Sequence, residues 1–325
     1  MTILVLVFAL LKGSVAIPWT SFWQQIGSKG QMIQNSQDQV YNRILWSIRL
    51  PRVLVAFLIG ASLSLSGMTM QSLLKNPLAD GSTLGVAAGA SLGASLAIAF
   101  SWQIAWSSRS AIFLSAIVFS FLALLLILSF ALYLDRQLNN LTVILSGIVF
   151  SMLVSAILNL LLVFAQEKLH SLVFWTMGSL SGTTYQDAWL LTLVLVLIAA
   201  YIYSQSQALN AFAMGDQVAH NIGLNRVSMR LKLFLLVSIL VGLSVAIAGV
   251  IPFVGLIIPH VSRKLIGSNH RHLTWMTLIL GGNFLVLTDL MARTLAAPLE
   301  IPLGAISSLI GTLVFVWVFV RRRRA

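Results

Sequence analysis

The chain has 325 residues, 58% of them hydrophobic and only 9% charged, and its mean hydropathy is +0.95. A soluble core this apolar would leave no polar surface, so the composition excludes an ordinary globular protein and points to an all-α polytopic membrane protein. Cysteine is missing and the five histidines share no ligand-like spacing, so neither disulfides nor a metal cofactor are expected; the net charge of +12 lies in short loops between apolar runs, where it marks orientation rather than a nucleic-acid face.

Apolar runs separated by loop signals predict about ten crossings, centred on residues 3–17, 53–73, 83–100, 111–133, 141–165, 188–203, 233–249, 251–266, 273–291 and 304–320. The first has no basic residues before it and is interrupted by Lys12; without a charged start it reads as a retained helix rather than a cleaved signal peptide. Residues 18–48, with Trp19, Trp23, Gln24, Gln25, Gln31 and Gln34, read as an outer-interface loop. Arg49 and Arg52 then flank Pro51 ahead of a charge-free segment, Val53 to Leu74, long enough to cross a hydrocarbon core of about 30 Å at about 1.5 Å per residue. Lys75, Asn76 and Pro77 end it, because a charge is costly in hydrocarbon and proline disfavours helix in the residue before it. Gly85, Gly89 and Gly93 form a small-residue stripe suited to close helix packing. The G-x-S-x-G spelled by Gly89, Ser91 and Gly93 lacks the strand-to-helix turn and the partners of a hydrolase elbow.

The longest connection covers about 205–231. Within it Asp216 is expected to N-cap a short helix that Gly223 ends, with Val218, Ala219 and Ile222 on one face. Such a helix is too short to stand alone and needs something to dock on. His260, followed by Arg263 and Lys264, reads as a helix end where cations complement the carbonyl dipole. Ten crossings put both termini on one side, and the run from Arg321 to Arg324 assigns that side to the cytoplasm. Arg43, Arg49, Arg52 and Arg293 then fall on the outside, against the orientation rule, and Asp289 and Glu300 lie close to the same surface.

These motifs resemble the FecCD/BtuC-type permease subunits of bacterial ABC importers for iron-siderophore, haem and cobalamin. The likeness runs nearly end to end through RLPR at 49–52, NPLAD at 76–80, TMGSLSG at 176–182, MGDQVAHNIGL at 214–224, PFVGLIIPHVSRKLIGSNHR at 252–271 and DLMARTLAAPLEIPLGAISSLIG at 289–311. The chain departs from the family in its short first helix and in Gly311, Thr312 and Leu313, where Gly-Ala-Pro is usual. The resemblance implies a BtuC-like type II permease fold in one transmembrane domain, 1–325. It further implies a second permease subunit as homodimer or related heterodimer, two ATPase subunits that bind ATP-Mg, and an extracytoplasmic substrate-binding protein. No cofactor is implied in this chain, and no G-x-x-x-x-G-K-[ST] phosphate loop occurs in it, so hydrolysis falls to another subunit.

By the same resemblance, Gly215, Asp216, Val218, Ala219, Ile222 and Gly223 form the helix that couples to the ATPase. Arg49, Arg52 and Arg293 match basic positions that meet acidic groups on the binding protein, a task suited to the two-pronged guanidinium. For Arg293 an internal rival exists, Asp289 at i, i+4. Asn76 and Leu78, with Asn140 and Leu141 after Asn139, match the constriction of the path toward the cytoplasm. An ion-coupled secondary transporter would show broken helices in matching halves with acids at mid-membrane, and an intramembrane enzyme would show a nucleophile, base and acid. The sequence carries neither signature. An iron-siderophore or related metal chelate is the expected cargo, with haem and cobalamin as alternatives, carried across the bacterial cytoplasmic membrane.

Overall fold

A computed structural model describes residues 1–13, 18, 36–104 and 107–322. Trp19, Trp23, Gln24, Gln25, Gln31 and Gln34, together with Arg323 and Arg324, lie outside the described residues.

The described residues are helical throughout, apart from turns and one isolated bridge between Ile104 and Ser107. In chain order the helices are α1 (Thr2–Leu11), α2 (Ser36–Arg43), α3 (Leu50–Leu73), α4 (Val86–Ala99), α5 (Ser108–Leu134), α6 (Asn140–Phe164) and α7 (Leu169–Thr176). After them come α8 (Tyr185–Ser204), α9 (Ser206–Met214), α10 (Asp216–Asn221), α11 (Arg226–Ala248), α12 (Val254–Ile266), α13 (His270–Thr294) and α14 (Leu303–Arg322). Each of the ten expected crossings has its helix. Among the described residues, six stretches are long and apolar enough to cross a membrane: Gln39–Leu73, Ser108–Leu134, Asn140–Phe164, Tyr185–Ser204, Arg226–Ala248 and His270–Thr294. Helices α1 and α4 are apolar but shorter.

Two boundaries differ from expectation. The first helix stops at Leu11, because Lys12 turns extended. The RLPR segment does not start a helix: α2 passes through a π-helical turn, Ile44–Arg49, directly into α3. Pro51 is tolerated there because it falls within the first two positions after that widened turn.

Helix α3 is the axis of the fold, with α13, α12, α11 and α8 packed around it. It can be enclosed because its side chains are small or self-satisfied. Ser62, Ser66, Thr69 and Ser72 each donate a hydroxyl to the carbonyl four residues back, at 2.8 to 3.0 Å, so these four hydroxyl protons are satisfied within the helix. A Cβ on Gly67 would lie 1.8 Å from the Gly255 carbonyl oxygen, and one on Gly60 2.2 Å from that of Gly281, so the backbones of α3, α12 and α13 touch. The same physics joins α4 to α5, where Gly89 and Gly93 face Ala123 and the Ser115 carbonyl. The G-x-S-x-G stretch is thus packing. A contiguous apolar core runs from Ala9 to Ile306.

Between α3 and α4 the chain leaves α-helical form over residues 74–85, and its polar backbone groups must be satisfied by the protein. Asp80 does most of this. Its carboxylate accepts the N–H groups of Ser82 (3.0 Å) and Thr83 (3.1 Å), while Thr83 Oγ1 accepts the Asp80 N–H at 2.9 Å, a reciprocal cap on the short 3₁₀ turn Gly81–Leu84.

Candidate functional site

The residues singled out by sequence gather at opposite ends of α3. At the Arg52 end, Arg52 Nε donates to Asp289 Oδ1 at 2.9 Å, and its two terminal nitrogens grip Glu300 at 2.8 and 3.1 Å. Arg293 Nε stands 3.1 Å from Asp289 Oδ2, the i, i+4 pair foreseen as the rival reading, in a charge contact without hydrogen-bond alignment. The remaining contacts serve α1. A helix leaves its last four carbonyls unpaired, and here each has a donor: Lys12 N–H for Phe8, Arg293 Nη2 for Ala9, and Arg49 Nη1 for Leu10 and Leu11, at 2.8 to 3.0 Å. Arg49, Arg52 and Arg293 are consequently 4%, 8% and 5% exposed. Sequence placed these guanidiniums on an open face; in the folded chain they turn inward, Arg49 and Arg293 because the end of a ten-residue helix has to be capped, and Arg52 because Asp289 and Glu300 hold it. Within this charge cluster the Glu300 side chain is the most open, at 42% exposed against 9% for Arg52 and 1% for Asp289.

At the opposite end, α10 begins at Asp216, which does not cap it; Gly215 precedes the helix in an extended glycine conformation and the Asp216 carboxylate points to Arg230. Gly223 does end the helix, at φ +82°. Its N–H reaches His220 O at 2.9 Å and the Leu224 N–H reaches Ala219 O at 3.2 Å, a paired C-terminal closure that glycine makes without strain. Val218, Ala219 and Ile222 do not share one open face. Ala219 is buried and Val218 packs on the core, whereas Ile222 is 58% exposed and Met214, just before the helix, is open as well.

Asn76 and Leu78 sit in the turn after α3, where Asn76 Oδ1 accepts the Leu78 N–H at 2.9 Å and Leu78 projects outward. With Ser82 and Thr83 they border a cleft of about 750 Å³ against α6, whose Ser151, Ser155 and Asn159 line it at four-residue intervals. Asn140 starts α6 and bridges: its Nδ2 donates to Leu74 O at 3.0 Å and its Oδ1 accepts from Arg230 at 2.7 Å. Leu141 is exposed and lies outside the cleft lining. Ahead of Asn140, the Asp135 carboxylate accepts the Gln137 and Asn139 N–H groups, both at 2.9 Å; the Asn139 bond first and the Gln137 bond second hold its pKa below the usual carboxylate value.

Arg230 escaped sequence reading, which left it among the loop charges of 205–231. The signal was available. Asn225 caps α11 by accepting the Ser228 N–H at 3.1 Å, and counting from that cap puts Arg230 on the face of Leu233, Phe234 and Val237, all buried. A further buried chain braces this end, with Ser72 Oγ 2.5 Å from His270 Nε2 and His270 Nδ1 2.7 Å from Asn210 Oδ1. It ties α3, α13 and α9 together. Among the described residues no group of three or more histidines and acids could hold a metal ion.

The sequence model of the FecCD transport family matches residues 1–321. The uncharacterized ABC transporter permease protein YvrB of Bacillus subtilis (strain 168) is 34% identical over 96% of this chain and 89% of its own length. The vitamin B12 import system permease protein BtuC of Klebsiella pneumoniae is 33% identical over 99% of the chain and 93% of its own. A solved structure described as an inward-facing conformation of a metal-chelate type ABC transporter superposes with a TM-score of 0.82 at 32% identity, covering 98% of this chain and 97% of that one. PsaBC from Streptococcus pneumoniae, at 15% identity and a TM-score of 0.59, shares the fold alone. The chain therefore belongs to the FecCD transport family, as a multi-pass membrane permease of the ABC importer class, in which ATP hydrolysis rests with a separate subunit.

Proposed function

We propose that this permease imports an iron-siderophore or related metal chelate across the bacterial cytoplasmic membrane, both termini facing the cytoplasm. The observation that carries the cargo is the likeness over nearly the whole chain to a metal-chelate type transporter. Two permeases would complete the path, since α6 offers its polar stripe to the cleft yet buries little of itself within one chain. Asn76, Leu78, Asn140 and Leu141 form the constriction at its inner end. The ATPase receives α10 through the open Ile222 and Met214, with Gly215 and Gly223 setting the ends of the helix and Val218 and Ala219 seating it on the permease.

The binding protein docks at the Arg52 end. Arg49 and Arg293 hold that surface in shape, and Arg52 meets the partner's carboxylate once Glu300 swings aside. BtuC-like relatives favour a second cargo, cobalamin. Reconstitution with its cognate ATPase and binding protein, followed by uptake of radiolabelled ferric siderophore, haem and cobalamin, separates these readings. ATP-dependent uptake of a ferric chelate is expected. Uptake of cobalamin alone establishes the second reading, and uptake of none of the three overturns both.

A further inference from the structure

We propose that Arg230 is the positioning residue through which a movement of α10 reaches the constriction. The inference rests on the reading above of α10 as the ATPase contact and of Asn76, Leu78 and Asn140 as the gate. One guanidinium, 2% exposed, meets three segments at once: Leu138 O through Nη1 at 2.5 Å, Asn140 Oδ1 through Nη2 at 2.7 Å, and both Asp216 oxygens through Nη2 at 2.9 and 3.1 Å. The ring of Phe212 covers it, 5.7 Å from the guanidinium carbon. Asn140 passes the connection to Leu74 O, and Lys75 Nζ returns to Asp216 Oδ1 at 3.5 Å. The circuit from α10 through α11 to the start of α6, then to the end of α3 and back, is closed.

Three features make it a transmission rather than a staple between helices. Its partners belong to the turn before α6, the start of α6 and the start of α10, and the cleft-lining turn at Asn76 and Leu78 follows directly after Leu74 and Lys75. The Leu138 carbonyl is aimed by an uncommon backbone, since Leu138 is buried at φ +52°, a left-handed state that a bulky residue holds only when its surroundings impose it. A buried guanidinium cannot part from its carboxylate without strong destabilisation, so α10 cannot shift and leave the turn before α6 behind. Arginine suits the place because its planar fork reaches in several fixed directions, which an ammonium cannot do.

The test uses the complete transporter with its ATPase and binding protein in nanodiscs, and a single cysteine at Leu78 in a chain that has none of its own. The parent should label at a rate that changes between the nucleotide-free and ATP-vanadate states. Arg230→Gln and Asp216→Asn should each flatten that difference and lower transport per ATP hydrolysed by about tenfold, within the usual range of coupling between sites, with Arg230→Lys in between. Co-purification of the ATPase serves as the assembly control. If Arg230→Gln does not assemble, Arg230→Lys and Asp216→Asn decide the matter, and full nucleotide dependence in both overturns the proposal. A parent that responds to nucleotide while Arg230→Gln responds equally also overturns it and leaves the gate standing. A parent that never responds removes the gate reading itself, and this inference falls with it.

Discussion

Both ends of α3 bury arginine, and the two clusters differ in what they hold. At the Arg52 end the partners are Asp289 on α13, Glu300 in the loop after it, and the terminal carbonyls of α1, all attached to helices in backbone or core contact. At the Arg230 end the partners are a turn, the first residue of α6 and the first residue of α10. One cluster closes the fold on itself. The other spans the seams between parts. Buried charge alone does not reveal a functional residue; the mobility of what it grips decides.

The comparison breaks most visibly if Asp289 can be neutralised at no cost. Asp289→Asn leaves Arg52 and Arg293 sharing a site without a full countercharge and should lower stability by about 3–5 kcal/mol, read as a large fall in thermal unfolding temperature in detergent. A smaller effect would mean that this end is not a lock. Gly67→Ala comes next, since the new methyl would collide with the Gly255 carbonyl; about 1–3 kcal/mol of overpacking is expected in the same assay.

Glu300→Gln should be mild for the fold, about 1 kcal/mol or less given its exposure, yet it removes the countercharge and one of the two acceptors from the Arg52 fork and so loosens it. Binding-protein association should then quicken at low salt and lose that gain at high salt, measured by surface plasmon resonance at two ionic strengths. Charge reversal of Arg49 or Arg52 would be a poor probe of docking, because it destroys caps and pairs first. Least costly to stability is Ile222→Glu, within about 0.5 kcal/mol as expected of an exposed site, but it should release the ATPase on size-exclusion chromatography. Retained ATPase would remove Ile222 from the contact.

The helices were legible because hydrocarbon demands long apolar runs, and those runs stand out against loops with charges and Asn-Pro. The family motifs gave the order of parts. Side-chain direction was not legible. Arg49 and Arg293 looked like outward charges because nothing in the sequence announces that α1 stops at Leu11 and leaves carbonyls to be capped. Asp216 looked like an N-cap because its type fits; its real partner lies fourteen positions on, behind a loop that propensity reads as separate. Val218, Ala219 and Ile222 share a stripe by periodicity, but which part faces the core depends on how α11 and the bundle receive the helix. Gly223, by contrast, was read correctly, since its role is local to the backbone.

The contact of Gly67 with Gly255 bears on how such a protein alternates between states. Where two helices meet through interdigitated side chains, small rotamer changes let them slide; where backbone meets backbone, no layer exists to absorb shear. Helices α3, α12 and α13 thus behave as one stiff strut. The short joints without α-helix at 74–85 and 135–139 lie outside that strut, and in them Lys75 and Leu138 hold left-handed backbone, at φ +48° and +52°.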